Sequence, residues 1–72
     1  MIFIEKVNNK TGKKLKQLRE KDRKTQKELA LIFGVTPAAI SYYEAGFRVP
    51  SDRIKKKYAL YFDISIEDIF FN

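Results

Sequence analysis

Between Thr25 and Gly46 the chain reads TQKELALIFGVTPAAISYYEAG, and its punctuation fixes two short helices with a tight break between them. Thr25 stands three residues before Glu28, the spacing of a capping box: the threonine oxygen accepts from one orphan amide while the glutamate reaches back to another. Leu29, Ala30 and Phe33 then share one face, and Gly34 ends the helix, because a left-handed backbone is easiest without a Cβ. Thr36 can cap anew, and Pro37 fits the first helical position, where no amide partner is lost. Ile40 and Tyr43 follow at i, i+3 as an inward stripe before Gly46 stops the second helix.

The flanks repeat this grammar. In TGKKLKQLREKD, Leu15 and Leu18 form the narrow stripe of an amphipathic helix. After the connector FRVP, Ser51 caps behind Pro50, and Ile54, Tyr58 and Phe62 recur at i, i+4, i+8. Ser65 and Asp68 repeat the capping spacing ahead of Ile69 and Phe70. The only strand-like stretch is IFIEKV, which predicts at most a short edge strand. An all-α chain of five helices is expected, with residues 1–10 as an N-terminal extension and 11–72 as a single domain. The length of 72 residues allows only one small core.

Two short helices joined by a three-to-four-residue turn containing glycine form the helix-turn-helix plan. With Gln26 as its first position, Leu29, Phe33, Val35, Ile40 and Tyr43 must face the core, Ala30 must be small where the helices cross, and Gly34 must make the turn. All seven positions comply. A generic helical hairpin meets several of the same demands, so the whole frame carries the inference.

The stretch LREKDRKTQKELALIFGVTPAAISYYEAGFRVPS, continued by YALYFDISIEDIF, resembles the phage-repressor type of helix-turn-helix domain, the Cro and lambda-repressor-like family. The resemblance implies a compact five-helix domain whose third helix, here Thr36 to Ala45, lies in the DNA major groove. It implies base-facing roles for Thr36, Pro37, Ala38, Ser41 and Tyr42. A small amino end suits entry into the groove: Ala38 and the proline ring can meet thymine methyls, and the Ser41 and Tyr42 hydroxyls can donate or accept. Family members often carry glutamine, arginine or asparagine at such positions, so direct base readout here is thin, and specificity leans on shape and methyl contacts. Gln26 matches the family's phosphate-contacting glutamine and Arg48 a second phosphate position, with Lys27 and Arg53 as further candidates. Arg19 and Glu44 match a structural, largely buried ion pair.

Charge and composition agree with a polyanion partner. The net charge is +6, and Lys10 to Lys27 holds nine Lys/Arg against Glu20 and Asp22, whereas Asp63 to Asn72 has three carboxylates and no base. Double-stranded DNA is the partner this implies. Without histidine or cysteine there is no thiolate nucleophile, imidazole base or metal ligand of those types, and there is no glycine-rich phosphate loop. A non-enzymatic chain without cofactor, metal or small-molecule substrate is expected, in a reducing cytoplasm and without a membrane span. Tyr43, Tyr58 and Phe62 lie at core spacing, which argues against single-strand stacking.

Some apolar residues exceed the needs of one small core: Leu31, Phe47, Leu60, Tyr61, Phe70 and Phe71, with Ile2, Phe3 and Ile4. An apolar patch would mean an interface, unless the N-terminal residues pack onto their own monomer. Because the family usually dimerises through its last helix, Phe70 and Phe71 are first choices for a homodimer contact, with Leu31, Leu60 and Tyr61 as further dimer or partner surface. The sequence therefore predicts a DNA-binding transcriptional regulator of phage or bacterial type, a repressor acting by occlusion as a dimer. Two alternatives stay open: an antirepressor that binds another repressor's DNA-binding face, and a nonspecific basic binder.

Overall fold

A computed structural model describes residues 9–71. The edge-strand expectation for IFIEKV and the apolar residues Ile2, Phe3 and Ile4 lie outside them. Five helices follow in order: α1 Asn9–Lys21, α2 Gln26–Phe33, α3 Pro37–Ala45, α4 Asp52–Phe62 and α5 Ile66–Phe70. Among the described residues there is no strand. Helix α1 starts at Asn9, inside the segment read as an extension.

Every expected N-cap is made. Thr25 Oγ1 accepts from the Glu28 amide at 3.0 Å and Glu28 Oε1 accepts from the Thr25 amide at 2.8 Å, closing the box. Hydrogen bonds from Thr25 hold the exposed Glu28 carboxyl below its ordinary pKa, the one from the Thr25 backbone amide contributing most. The side chains of Thr36, Ser51 and Ser65 likewise accept from the amide of the third residue of α3, α4 and α5.

Four helix ends close with one device. The amides of Lys24, Val35, Phe47 and Ile64 each reach back five residues, to the carbonyls of Arg19, Ala30, Tyr42 and Ala59. This is the long bond of a Schellman turn, and it needs a left-handed residue just before the donor. Gly34 and Gly46 fill that place at φ 71° and 82°, whereas Arg23 and Asp63 fill it at φ 58° and 55° without being glycine.

The core gathers Leu15, Leu29, Ala30, Phe33, Ala39, Ile40, Tyr43, Ile54, Tyr58, Ile69 and Phe70, with Leu18, Val35 and Phe62 packed at its margin. Tyr58 is its aromatic hub: Phe33 and Phe70 meet its ring edge-on at centroid distances of 4.7 and 6.1 Å, and Phe62 stacks at 6.0 Å. Phe70 thus departs from its expected place in an interface. It is 7% exposed, because the turn at Asp63 folds α5 back so that Ile69 and Phe70 both point inward, leaving Phe71 outside.

Helix α1 crosses α3 more closely than the sequence suggests. A Cβ placed on Gly12 would stand 2.5 Å from the Glu44 carbonyl oxygen and 2.9 Å from that of Tyr43. Ala30 is buried, at 1% exposed. The crossing that tolerates no side chain at all is at Gly12.

Candidate nucleic-acid interface

Helix α3 has two unlike faces. Ala39, Ile40, Tyr43 and Glu44 are buried. Thr36, Pro37, Ala38 and Tyr42 are exposed and Ser41 is half-buried. The residues expected to face bases therefore do share the outward side and amino end of one helix. Its ends are set by the Thr36 cap, whose Oγ1 accepts from the Ala39 amide at 3.1 Å, and by the backbone turn at Gly46.

The inward side is held by charge. Arg19 Nε donates to Glu44 Oε2 at 2.6 Å and Arg19 Nη2 to Glu44 Oε1 at 3.0 Å, a two-pronged bond with both side chains largely withdrawn from water. Arg19 Nη1 also donates to the Lys24 carbonyl at 2.7 Å, so one guanidinium ties α1, the α1–α2 turn and α3 together. Its hydrogen bonds to Glu44 raise its pKa above the ordinary arginine value, against the opposing effect of burial. The pair is present as expected.

Gln26 joins that pair. Its Nε2 donates to Glu44 Oε1 at 3.1 Å, which orients the side chain at the start of α2. Lys16, Gln26, Ser41, Glu44 and Ala45 line one shallow groove between α1, α2 and α3. Lys16 did not stand out in the sequence, where it is one lysine among many. Only the α1–α3 crossing shows that it flanks Gln26 and Ser41.

On the other flank Arg48 is exposed, and its guanidinium carbon lies 5.0 Å from the centroid of the Tyr42 ring. Lys27 and Arg53 are exposed, each on the first turn of its helix. The structure thus brings Gln26, Ser41 and Lys16 together and links Tyr42 to Arg48.

A helix-turn-helix family model matches residues 15–69. This chain belongs to the helix-turn-helix family. Its helix-turn-helix unit is α2, the turn at Gly34 and α3, which places the chain in a class of DNA-binding transcription regulators. Over 57 residues the chain is also 35% identical to multiprotein-bridging factor 1 of Candida albicans, a match that takes in 79% of this chain and 38% of the relative. The chain thus spans well under half of that relative's length.

The surface expected to meet a dimer mate or partner is mixed. Leu31, Leu60 and Phe71 are exposed, at 77%, 83% and 66%. Tyr61 is partly engaged in its own monomer: its hydroxyl donates to Asp22 Oδ2 at 2.7 Å, which raises the phenol's pKa, and its ring meets Phe33 and Phe62 edge-on. Ile32, absent from the expected set, lines a shallow apolar groove with Phe33, Lys57, Leu60 and Tyr61. The missed signal was its position beside Leu31 on a helix too short to bury both. No helix among the described residues is long and apolar enough to cross a membrane, and no group of His, Cys, Asp or Glu among them is placed to hold a metal.

Proposed function

We propose that this helix-turn-helix chain is a sequence-specific regulator that sets the amino end of α3 in the major groove and acts by occluding a promoter. The observation that carries the reading is the division of α3 into a bonded inner face and an exposed outer face whose amino end, Thr36, Pro37 and Ala38, is small enough not to hold it off the bases. Thymine methyls suit Pro37 and Ala38, and the Ser41 hydroxyl suits a base edge or a phosphate. Gln26, held by Glu44, and the start of α2 address one backbone strand together with Lys16 and Lys27, while Arg48 and Arg53 address the other flank. A homodimer on a pseudo-palindromic site would use Phe71, Leu60 or Leu31, without Phe70.

Those exposed leucines also favour a second reading, in which the apolar α2–α4 groove takes a protein partner such as another repressor. Binding of the purified chain to duplexes from its own promoter region, titrated across salt, separates the two. A DNA regulator prefers its site over scrambled duplex and loses about 0.9 log units of affinity per log unit of salt for each phosphate neutralised. Ala38→Glu should abolish site preference without unfolding the chain, and Gln26→Ala should weaken all duplexes alike. A parent chain with no duplex affinity would leave the partner reading standing and end the first.

A further inference from the structure

We propose that Tyr42 serves DNA binding as a platform that positions Arg48, through the face of its ring and not through its hydroxyl. The inference rests on the DNA-binding reading above and sharpens it at one pair of residues. The two side chains are joined by backbone as well as by contact. Gly46, at φ 82°, reverses the chain at the end of α3, and the Phe47 amide donates to the Tyr42 carbonyl at 3.0 Å. The residue after that donor is Arg48. Its stem therefore starts from a point fixed relative to Tyr42, and its guanidinium lies 5.0 Å from the Tyr42 centroid, inside the range of cation–π attraction.

The ring is also suitably placed to be a support. Tyr42 is 45% exposed, so it keeps one side toward solvent while its helix neighbours Tyr43 and Glu44 are buried. A stacked guanidinium keeps its N–H edge free, and that planar edge can take a phosphate in two parallel bonds. An unsupported arginine would lose more rotamer freedom on binding the same phosphate. Lysine, a point charge on a flexible stem, gains little from such a platform.

Duplex titrations across salt with Tyr42→Phe, Tyr42→Leu, Arg48→Gln and the double variant Tyr42→Leu/Arg48→Gln test the assignment, beside NMR of the free proteins. Tyr42→Phe keeps the stack and should bind within about twofold of the parent. Arg48→Gln should reduce the salt slope by about 0.9, and Tyr42→Leu should lower affinity nearly as far, with the double variant no weaker than Arg48→Gln alone. In the free protein the Arg48 side-chain protons should show an upfield ring-current shift that Tyr42→Phe retains and Tyr42→Leu loses. Two results overturn the platform role while the parent still binds DNA: additive losses in the double variant, or a Tyr42→Phe loss as large as that of Tyr42→Leu, which would make the hydroxyl the reader. A parent that binds no duplex defeats the DNA reading itself, and the role of Tyr42 with it. The ring-current shift would then report a stack that serves only the free protein.

Discussion

The two faces of α3 are built on opposite rules. On the inner face nothing is loose: Gly12 lets α1 touch the α3 backbone, Arg19 grips Glu44 twice, and Gln26 takes the same carboxylate. On the outer face Thr36, Pro37, Ala38 and Tyr42 are exposed, and among the described residues their only side-chain bonds on that side are local, the Thr36 cap on Ala39 and the Tyr42 contact with Arg48. Rigidity on one side is what allows restraint on the other. A short helix can offer small side chains to a groove only if its angle is decided elsewhere, and here it is decided by a buried charge pair and a bare glycine. Substitutions on the inner face should therefore change stability, and those at Ala38 and Tyr42 on the outer face should change binding alone.

The hardest blow to the inner face is Glu44→Ala. It strands Arg19 with its charge largely buried and frees Gln26, and a loss of about 3 to 5 kcal/mol in denaturant unfolding is expected. An exposed pair would lose under about 1 kcal/mol. A near-unchanged midpoint would show that the pair does not hold α3, and the contrast between the faces would fail with it. The matched outer-face control, Ala38→Glu, should shift stability by less than about 0.5 kcal/mol.

Gly12→Ala comes next. One methyl group meets two main-chain carbonyls that no rotamer change can move, so α1 and α3 must separate. Overpacking of this kind costs about 1 to 3 kcal/mol, against the gain of up to about 1 kcal/mol that alanine ordinarily brings to a helix interior. Net destabilisation by thermal and urea unfolding is the expected sign. A more stable Gly12→Ala protein would mean that the two helices are not in backbone contact.

What the sequence could and could not disclose follows from the range of each interaction. Caps and stops are local, so Thr25 with Glu28, Thr36 with Pro37, Gly34 and Gly46 are legible from spacing alone, and the helices fall where those residues put them. Arg23 and Asp63 close α1 and α4 by the same turn but carry a Cβ, so composition gave no warning. The role of Gly12 depends on carbonyls more than thirty residues away, and that of Lys16 on the same crossing. Helix α5 is too short, at five residues, for periodicity to say which of Phe70 and Phe71 points inward. The Arg19–Glu44 pair came from family resemblance, since neither residue is distinguishable by type from its charged neighbours.

The smallest effect expected in the core lies just beneath the inner face and has the opposite sign. The Tyr58 side chain is wholly buried, yet among the described residues its hydroxyl has no hydrogen-bond partner. Burial, together with the nearby Glu44 and Tyr43, pushes its pKa well above the usual tyrosine value. Tyr58→Phe keeps the ring contacts to Phe33, Phe62 and Phe70 and removes a desolvated hydroxyl, so a gain of about 1 kcal/mol near neutral pH is expected. The pH dependence fixes the cause. A phenol whose folded pKa is raised contributes stability that is complete below its unfolded value, about 10, and is lost as pH rises beyond it, because only the unfolded chain can then release the proton. The wild-type chain should therefore weaken above about pH 10 more steeply than Tyr58→Phe. Parallel alkaline limbs, or a phenylalanine variant less stable at neutral pH, would mean that the hydroxyl is bonded in solution and helps to hold the core beneath α3.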